Sequence, residues 1–192
     1  MATPVLTRPA REHAVELAVE TFLNGERVDM GTLAGRLGVG RTTLYRWVGD
    51  RELLLGEVLA ILTARTWDLV IAERHRYGVE GGLETIRRFM EVTSSFAPLR
   101  RFAETEPGAA LRVLLAVDGA VAQALRDGST RAMQAAIDER VEPEAELTEV
   151  LVQLGTALEW APIVAGEEPA IERAIALMRT VLEARYGKDL RA

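Results

Sequence analysis

The sequence predicts an all-α fold. Three observations carry this: apolar residues recur at three- and four-residue spacing along nearly the whole chain, no stretch alternates apolar and polar residues as a half-buried strand does, and Gly and Pro punctuate the helical runs. With 192 residues, 48% hydrophobic and 27% charged, the composition is that of an ordinary globular chain of one or two small domains.

The first helix is expected from about Arg11 to Asn24. Ala14, Leu17, Ala18, Thr21 and Phe22 line one face, Glu12, Glu16 and Glu20 the other, and Gly25 supplies a stop. Next comes Leu33-Ala-Gly-Arg-Leu-Gly-Val-Gly-Arg-Thr-Thr-Leu-Tyr-Arg-Trp-Val-Gly-Asp-Arg-Glu-Leu-Leu-Leu55, two short helical patterns broken by Gly-Val-Gly. Leu33 and Leu37 stand at i, i+4 before the break, Leu44 and Val48 after it, and Val39 plugs the turn. One apolar seam thus holds two helices in a helix-turn-helix. With Leu44 and Val48 inward, Arg41, Thr42, Thr43, Tyr45 and Arg46 face solvent, side chains suited to groove edges and phosphates of DNA.

Asp29 is placed to cap the second helix and Asp50 the fourth. The fourth starts at Arg51, carries Leu54, Val58, Ile61, Leu62 and Arg65, and is expected to reach about Arg76, joining the reading head to the remainder. Tyr77-Gly-Val-Glu-Gly-Gly82 reads as a loop. Further helical runs fall at about 83–96, 107–126, 129–141, 144–165 and 168–186, punctuated by Pro98, Pro107, Pro143 and Pro169, with Pro162 expected to kink or end its helix.

Charge divides the chain. Residues 1–51 hold seven arginines against six acids, net +1; the remainder holds 16 basic and 23 acidic residues, net −7. The overall charge of −6 therefore belongs to the second part and leaves the reading head compatible with DNA. No cysteine is present, so disulfides and thiolate metal sites are absent and a reducing cytoplasm is the natural compartment. The longest run without a charge, Val150 to Leu158, is far short of the roughly 20 residues a membrane span needs, and the N-terminus has no basic region followed by an apolar one.

Enzymatic function finds no support. His13 and His75 lie outside any metal-binding spacing, there is no Gly-x-Ser-x-Gly elbow or Walker loop, and Gly38-Val-Gly40 lacks the third glycine and the strand of a dinucleotide fingerprint. The expectation is no enzyme, no metal and no cofactor.

Leu33-Ala34, Leu37-Gly38-Val39, Thr43-Leu44-Tyr45, and Arg51 followed by Leu54-Leu55 resemble the N-terminal DNA-binding domain of the TetR family of bacterial repressors. The resemblance implies base reading by Arg41, Thr42 and Arg46 and phosphate contacts by Thr43, Tyr45, Trp47 and Arg51, with Gly31 offering no side chain. Gly40 and Arg51 depart from the family's usual serine or threonine and lysine; glycine caps only slightly worse, and arginine keeps the charge. The division implied is a helix-turn-helix domain over 1–50 and a helical effector-binding and dimerisation domain over 51–192. Leu44-Tyr-Arg-Trp-Val-Gly-Asp-Arg51 and the helical layout after it are further similar to the QsdR-like branch, regulators of signal-lactone degradation, which implies a lactone or acyl-type effector.

The last two long patterns carry Leu147, Val150, Leu151, Leu154 and Leu158, then Ile171, Ala174, Ile175, Met178 and Leu182. Val152, Ala157, Ala161, Leu177 and Val181 widen the apolar surface beyond one stripe, and Gly155 permits close helix approach. In the resembling family the last two helices form a four-helix bundle with their symmetry mates, so residues about 144–186 are expected to form a homodimer on a palindromic double-stranded DNA operator. For a small-molecule effector site the candidates are Trp67, Asp118, Glu159 and Trp160. Asp118 falls on the apolar spacing of Leu111, Leu114, Leu115, Val121, Ala122 and Leu125; Glu159 and Trp160 lie beside Pro162; Trp67 lies on the long fourth helix. The alternative is a helical DNA-binding or partner-binding dimer with no effector.

Overall fold

The computed structural model describes residues 8–136 and 144–186 and contains, among them, ten helices and no strand. They are α1 (Arg8–Leu23), α2 (Met30–Arg36), α3 (Arg41–Val48), α4 (Arg51–Ala72), α5 (Gly78–Ser95), α6 (Ala97–Thr105), α7 (Pro107–Leu114), α8 (Ala120–Ala136), α9 (Ala145–Val164) and α10 (Ile171–Tyr186). The all-α expectation holds. The tail of the expected 129–141 run and the break at Pro143 lie outside the described residues.

The head assembles from local signals. Asp29 and Asp50 each accept a backbone N–H three residues on, from Thr32 at 2.8 Å and Leu53 at 2.9 Å, satisfying donors that a helix start leaves open. Gly38 takes φ +66° in the turn, a conformation that costs residues with a Cβ, while Leu33 and Leu44 are fully buried and Leu37 and Val39 half-buried beside them. The predicted seam is therefore present.

Beyond the head several expectations give way. α4 stops at Ala72 rather than Arg76, because Glu73-Arg-His-Arg76 has no apolar residue to bury. The expected loop over 77–82 is mostly helix: α5 begins at Gly78, and Gly81 is buried against the Arg76 carbonyl, where a Cβ would lie 2.3 Å from the oxygen. Pro98 does not break structure but sits in the first turn of α6, where its missing N–H costs nothing. The run read as 107–126 is interrupted at 115–119, and α8 passes without a break through Gly128. Pro162 lies two residues before the end of α9.

Two cores share α4. The first buries Leu54, Leu55, Val58 and Leu59 of α4 against α1, the helix-turn-helix, α6, α7 and Trp160 and Ile163 of α9. The second buries Trp67 and Val70 of α4 with residues of α5, α8, α9 and α10. One rigid element is thus embedded at one end in the head and at the other in the body.

Candidate nucleic-acid interface and effector cavity

On α3 the inward residues Leu44 and Val48 leave Arg41, Thr42, Tyr45 and Arg46 exposed and Thr43 half-exposed. Arg41 and Arg46 form no ion pair among the described residues, so both guanidinium groups are available to an anionic partner. The Arg41 side chain lies over Gly31 of α2, where a Cβ would come within 2.7 Å of its terminal nitrogen; the glycine leaves room for that arginine on the outer face.

Two residues expected at phosphates are placed differently. Trp47 is half-buried against the first core with its indole N–H enclosed and without a partner, because its position on α3 turns it toward α1, whose Arg11 donates to the Trp47 carbonyl at 3.1 Å. Arg51 is occupied internally: Nε donates to the Val28 carbonyl at 2.5 Å and Nη2 to Glu106 at 2.8 Å.

The body holds a cavity of about 230 Å³ whose wall is almost wholly apolar. Trp67 of α4, Phe89 and Met90 of α5, Met133 of α8, Leu151 of α9 and Met178 of α10 define it. Trp67 and Phe89 stack with ring centroids 3.9 Å apart and planes within 8°. The indole packs directly against Gly128, where a Cβ would lie 2.0 Å from its ring, which is why a helix-weakening glycine sits inside α8. Three methionines give walls that adapt to irregular shapes.

Among the described residues Glu159 is the one charged-type residue on this wall, and it is 3% exposed. Its Oε1 lies 2.6 Å from Thr93 Oγ1. Burial without a counter-charge pushes its carboxyl up to about 8, with the Thr93 contact opposing only in part.

The expected effector residues separate accordingly. Trp67 and Glu159 share the cavity. Trp160 does not reach it: it is buried in the first core, about 100° round α9 from its neighbour Glu159. Asp118 is also misplaced by the sequence argument, since it is exposed in the turn over 115–119, where no helix continues the spacing that put it on a buried face. Thr93 had no sequence signal, as its role depends on α5 meeting α9.

The model of the Tetracyclin repressor-like, C-terminal domain family matches residues 77–183. Among solved structures, the chain is similar to the transcriptional repressor QsdR of R. erythropolis, from the TetR family, with 32% identity over 92% of this chain and 95% of that one and a TM-score of 0.84. The chain belongs to the TetR family. It is similar in fold to a second TetR-family repressor, AlkX from Dietzia sp. strain DQ12-45-1b, at 21% identity, 95% and 98% coverage and a TM-score of 0.56. A comparison with curated proteins found no match.

Membership fits the geometry. A TetR-family repressor is a DNA-binding transcription regulator with a helix-turn-helix head, and the matched C-terminal region here begins at Tyr77, just ahead of the first helix of the body that follows α4. Among the described residues no helix is long and apolar enough to cross a membrane, and no cluster of His, Asp and Glu could hold a metal ion.

Proposed function

We propose that this TetR-family chain is a cytoplasmic, homodimeric repressor that binds a palindromic operator and releases it when a small apolar or lactone-like effector enters the body. The observation that carries this reading is the course of α4, which runs from Arg51 at the head to Trp67 in the cavity wall. A ligand that moves the wall moves the helix on which the head is seated.

Residues 1–50 serve as the DNA-binding domain and 51–192 as the effector and dimerisation domain. Arg41, Thr42 and Arg46 reach base edges, and Thr43 and Tyr45 reach phosphates. Val150 on α9 and Leu177 on α10 are large apolar residues left 48% and 40% exposed, with Leu154, Leu158 and Val181 half-buried around them. Such a surface suits a two-fold partner, and a two-fold pair places its reading helices on half-sites about 34 Å apart.

The test is nuclease footprinting of the purified chain on DNA from its own upstream region, followed by titration with medium-chain lactones, esters and alcohols. Protection of a symmetric site that is lost on adding one of these compounds is the expected result. Protection unaffected by every compound favours a dimeric DNA-binding protein without an effector, and no protection at all sinks the reading. Because a ligand shifts the equilibrium only by its differential affinity, it must bind the DNA-free form more tightly.

A further inference from the structure

Among the described residues one buried ionisable group, Glu159, faces the cavity, and the protons around it limit what can lie beside it. Thr93 Oγ1 is 2.6 Å from Glu159 Oε1 and 2.9 Å from the Phe89 carbonyl oxygen. A hydroxyl has one proton to give. When that proton goes to Phe89, the carboxyl supplies the proton of the 2.6 Å contact and keeps an acceptor oxygen for a neighbour. When it goes to Glu159, the carboxyl's own proton is left to be donated. In both settings the pair is uncharged; the other polar groups on this largely apolar wall are the hydroxyls of Ser129, Thr148 and Thr156 and the indole N–H of Trp67, all neutral.

Among the described residues no counter-charge faces the pair. The residues that α4, α5, α8 and α10 place on the wall include no Asp, His, Lys or Arg, and on α9 only Glu159 is ionisable. The nearby Arg126 and Glu149 lie off the wall and pair with each other at 2.9 Å.

We propose, building on the effector-site reading above, that the cavity takes an uncharged ligand, apolar over most of its surface, whose single hydroxyl or carbonyl meets Glu159, and that Glu159 rejects the matching carboxylate. A ligand hydroxyl donates to the acceptor setting of the pair; a carbonyl accepts from the donor setting. A carboxylate placed beside Glu159 brings a charge with no cation among the described residues to meet it, and the single proton Glu159 can share with it replaces only part of the hydration the anion gives up in a dry site. An alkylammonium must first strip the proton from Glu159, which burial holds about tenfold in favour of the neutral form at pH 7. Hydrolysis of an ester-type ligand to its acid therefore ends recognition.

Calorimetry with four probes of one chain length tests this: octanol, methyl octanoate, octanoate and octylammonium. The native chain at pH 7 is expected to bind octanol and methyl octanoate and to bind octanoate at least ~10-fold more weakly, the factor carried by one unit of proton affinity. Affinity for methyl octanoate is expected to fall as pH rises past about 8, where Glu159 ionises. Glu159→Gln keeps the shape and polarity, so it should abolish that pH dependence and narrow the gap between ester and acid. The pH series on the native chain stands whether or not the variant folds. Octanoate or octylammonium binding as tightly as the ester, a pH-independent ester affinity, or no binding of either neutral probe each overturns the proposal. Anisotropy on operator DNA separates it from the broader reading: selective binding without DNA release removes the effector role and leaves the selectivity, whereas release by octanoate as readily as by ester does the reverse.

Discussion

Arg51 and Glu106 meet at 2.8 Å across the joint between reading head and body. Glu106 sits between α6 and α7 and also holds Arg27, from the loop ahead of α2, at 3.4 Å. Arg51 carries a second bond to the Val28 carbonyl, so a single guanidinium ties the start of α4 to both sides. Glu52 and Arg112 add a parallel link at 2.6 Å. The side chains of Arg51 and Glu106 are 20% and 19% exposed, enclosed enough for a charged hydrogen bond to matter.

Glu106→Gln is therefore expected to lower stability by about 1–2 kcal/mol, read from the urea midpoint at constant slope. Arg51→Ala should cost a similar amount, and the double variant less than the sum, with a coupling of at least about 0.5 kcal/mol. Additive losses would mean that the contact is incidental.

Salt dependence separates structural arginines from DNA-contacting ones. Arg41→Ala and Arg46→Ala should each reduce the slope of log affinity against log salt by up to about 0.9, because a guanidinium that reads a base edge in the groove also displaces counterions from the phosphates flanking it. Arg41→Ala should also relax sequence preference. Tyr45→Phe should weaken operator and random DNA alike. Arg51→Ala should leave the slope unchanged, because its donors are spent inside the protein. Unchanged anisotropy titrations for Arg41, Tyr45 and Arg46 variants across salt would show that α3 is not the reading helix.

The apolar faces of α9 and α10 predict a dimer at micromolar concentration. Leu177→Glu puts a charge where the partner's apolar surface is expected to exclude water, a change costing several kcal/mol of association. Since Leu177 is 40% exposed within one chain, the variant should stay folded. Sedimentation should give a native dimer and a folded monomeric variant that no longer binds the operator; a native monomer defeats the prediction.

What was legible in the sequence follows from the range of the interactions. The seam of Leu33, Leu44 and Val48 and the caps at Asp29 and Asp50 are set by neighbours a few residues apart, and the structure has them. Gly81 and Gly128 answer instead to Arg76 and Trp67, so spacing alone made loops or breaks of helices that need close approach. Asp118 was misplaced by extending a helical period across a turn. Glu159 and Trp160 are adjacent in sequence but point about 100° apart around α9, enough to send them to different cores. Sequence marked both; only the packing of α5 and α10 on α9 decides which one meets the cavity.

Glu159 also makes a prediction that needs neither DNA nor ligand. Its carboxyl is pushed from an ordinary value of 4.5 to about 8 by burial. Between those values the folded chain keeps a proton that the unfolded chain releases. The stability contributed by this group therefore falls as pH rises, with a slope that approaches about 1.4 kcal/mol per pH unit. The contribution is complete below about pH 4.5 and lost as pH rises through about 8. Glu159→Gln has no proton to lose, while every other titrating group is common to both proteins. The difference in stability between variant and native should thus shift steadily in the variant's favour from pH 5 to pH 8 and level off above it, as measured by urea denaturation at fixed ionic strength. If the two curves run parallel over that range, Glu159 is solvated in the folded protein and does not sit in a dry wall.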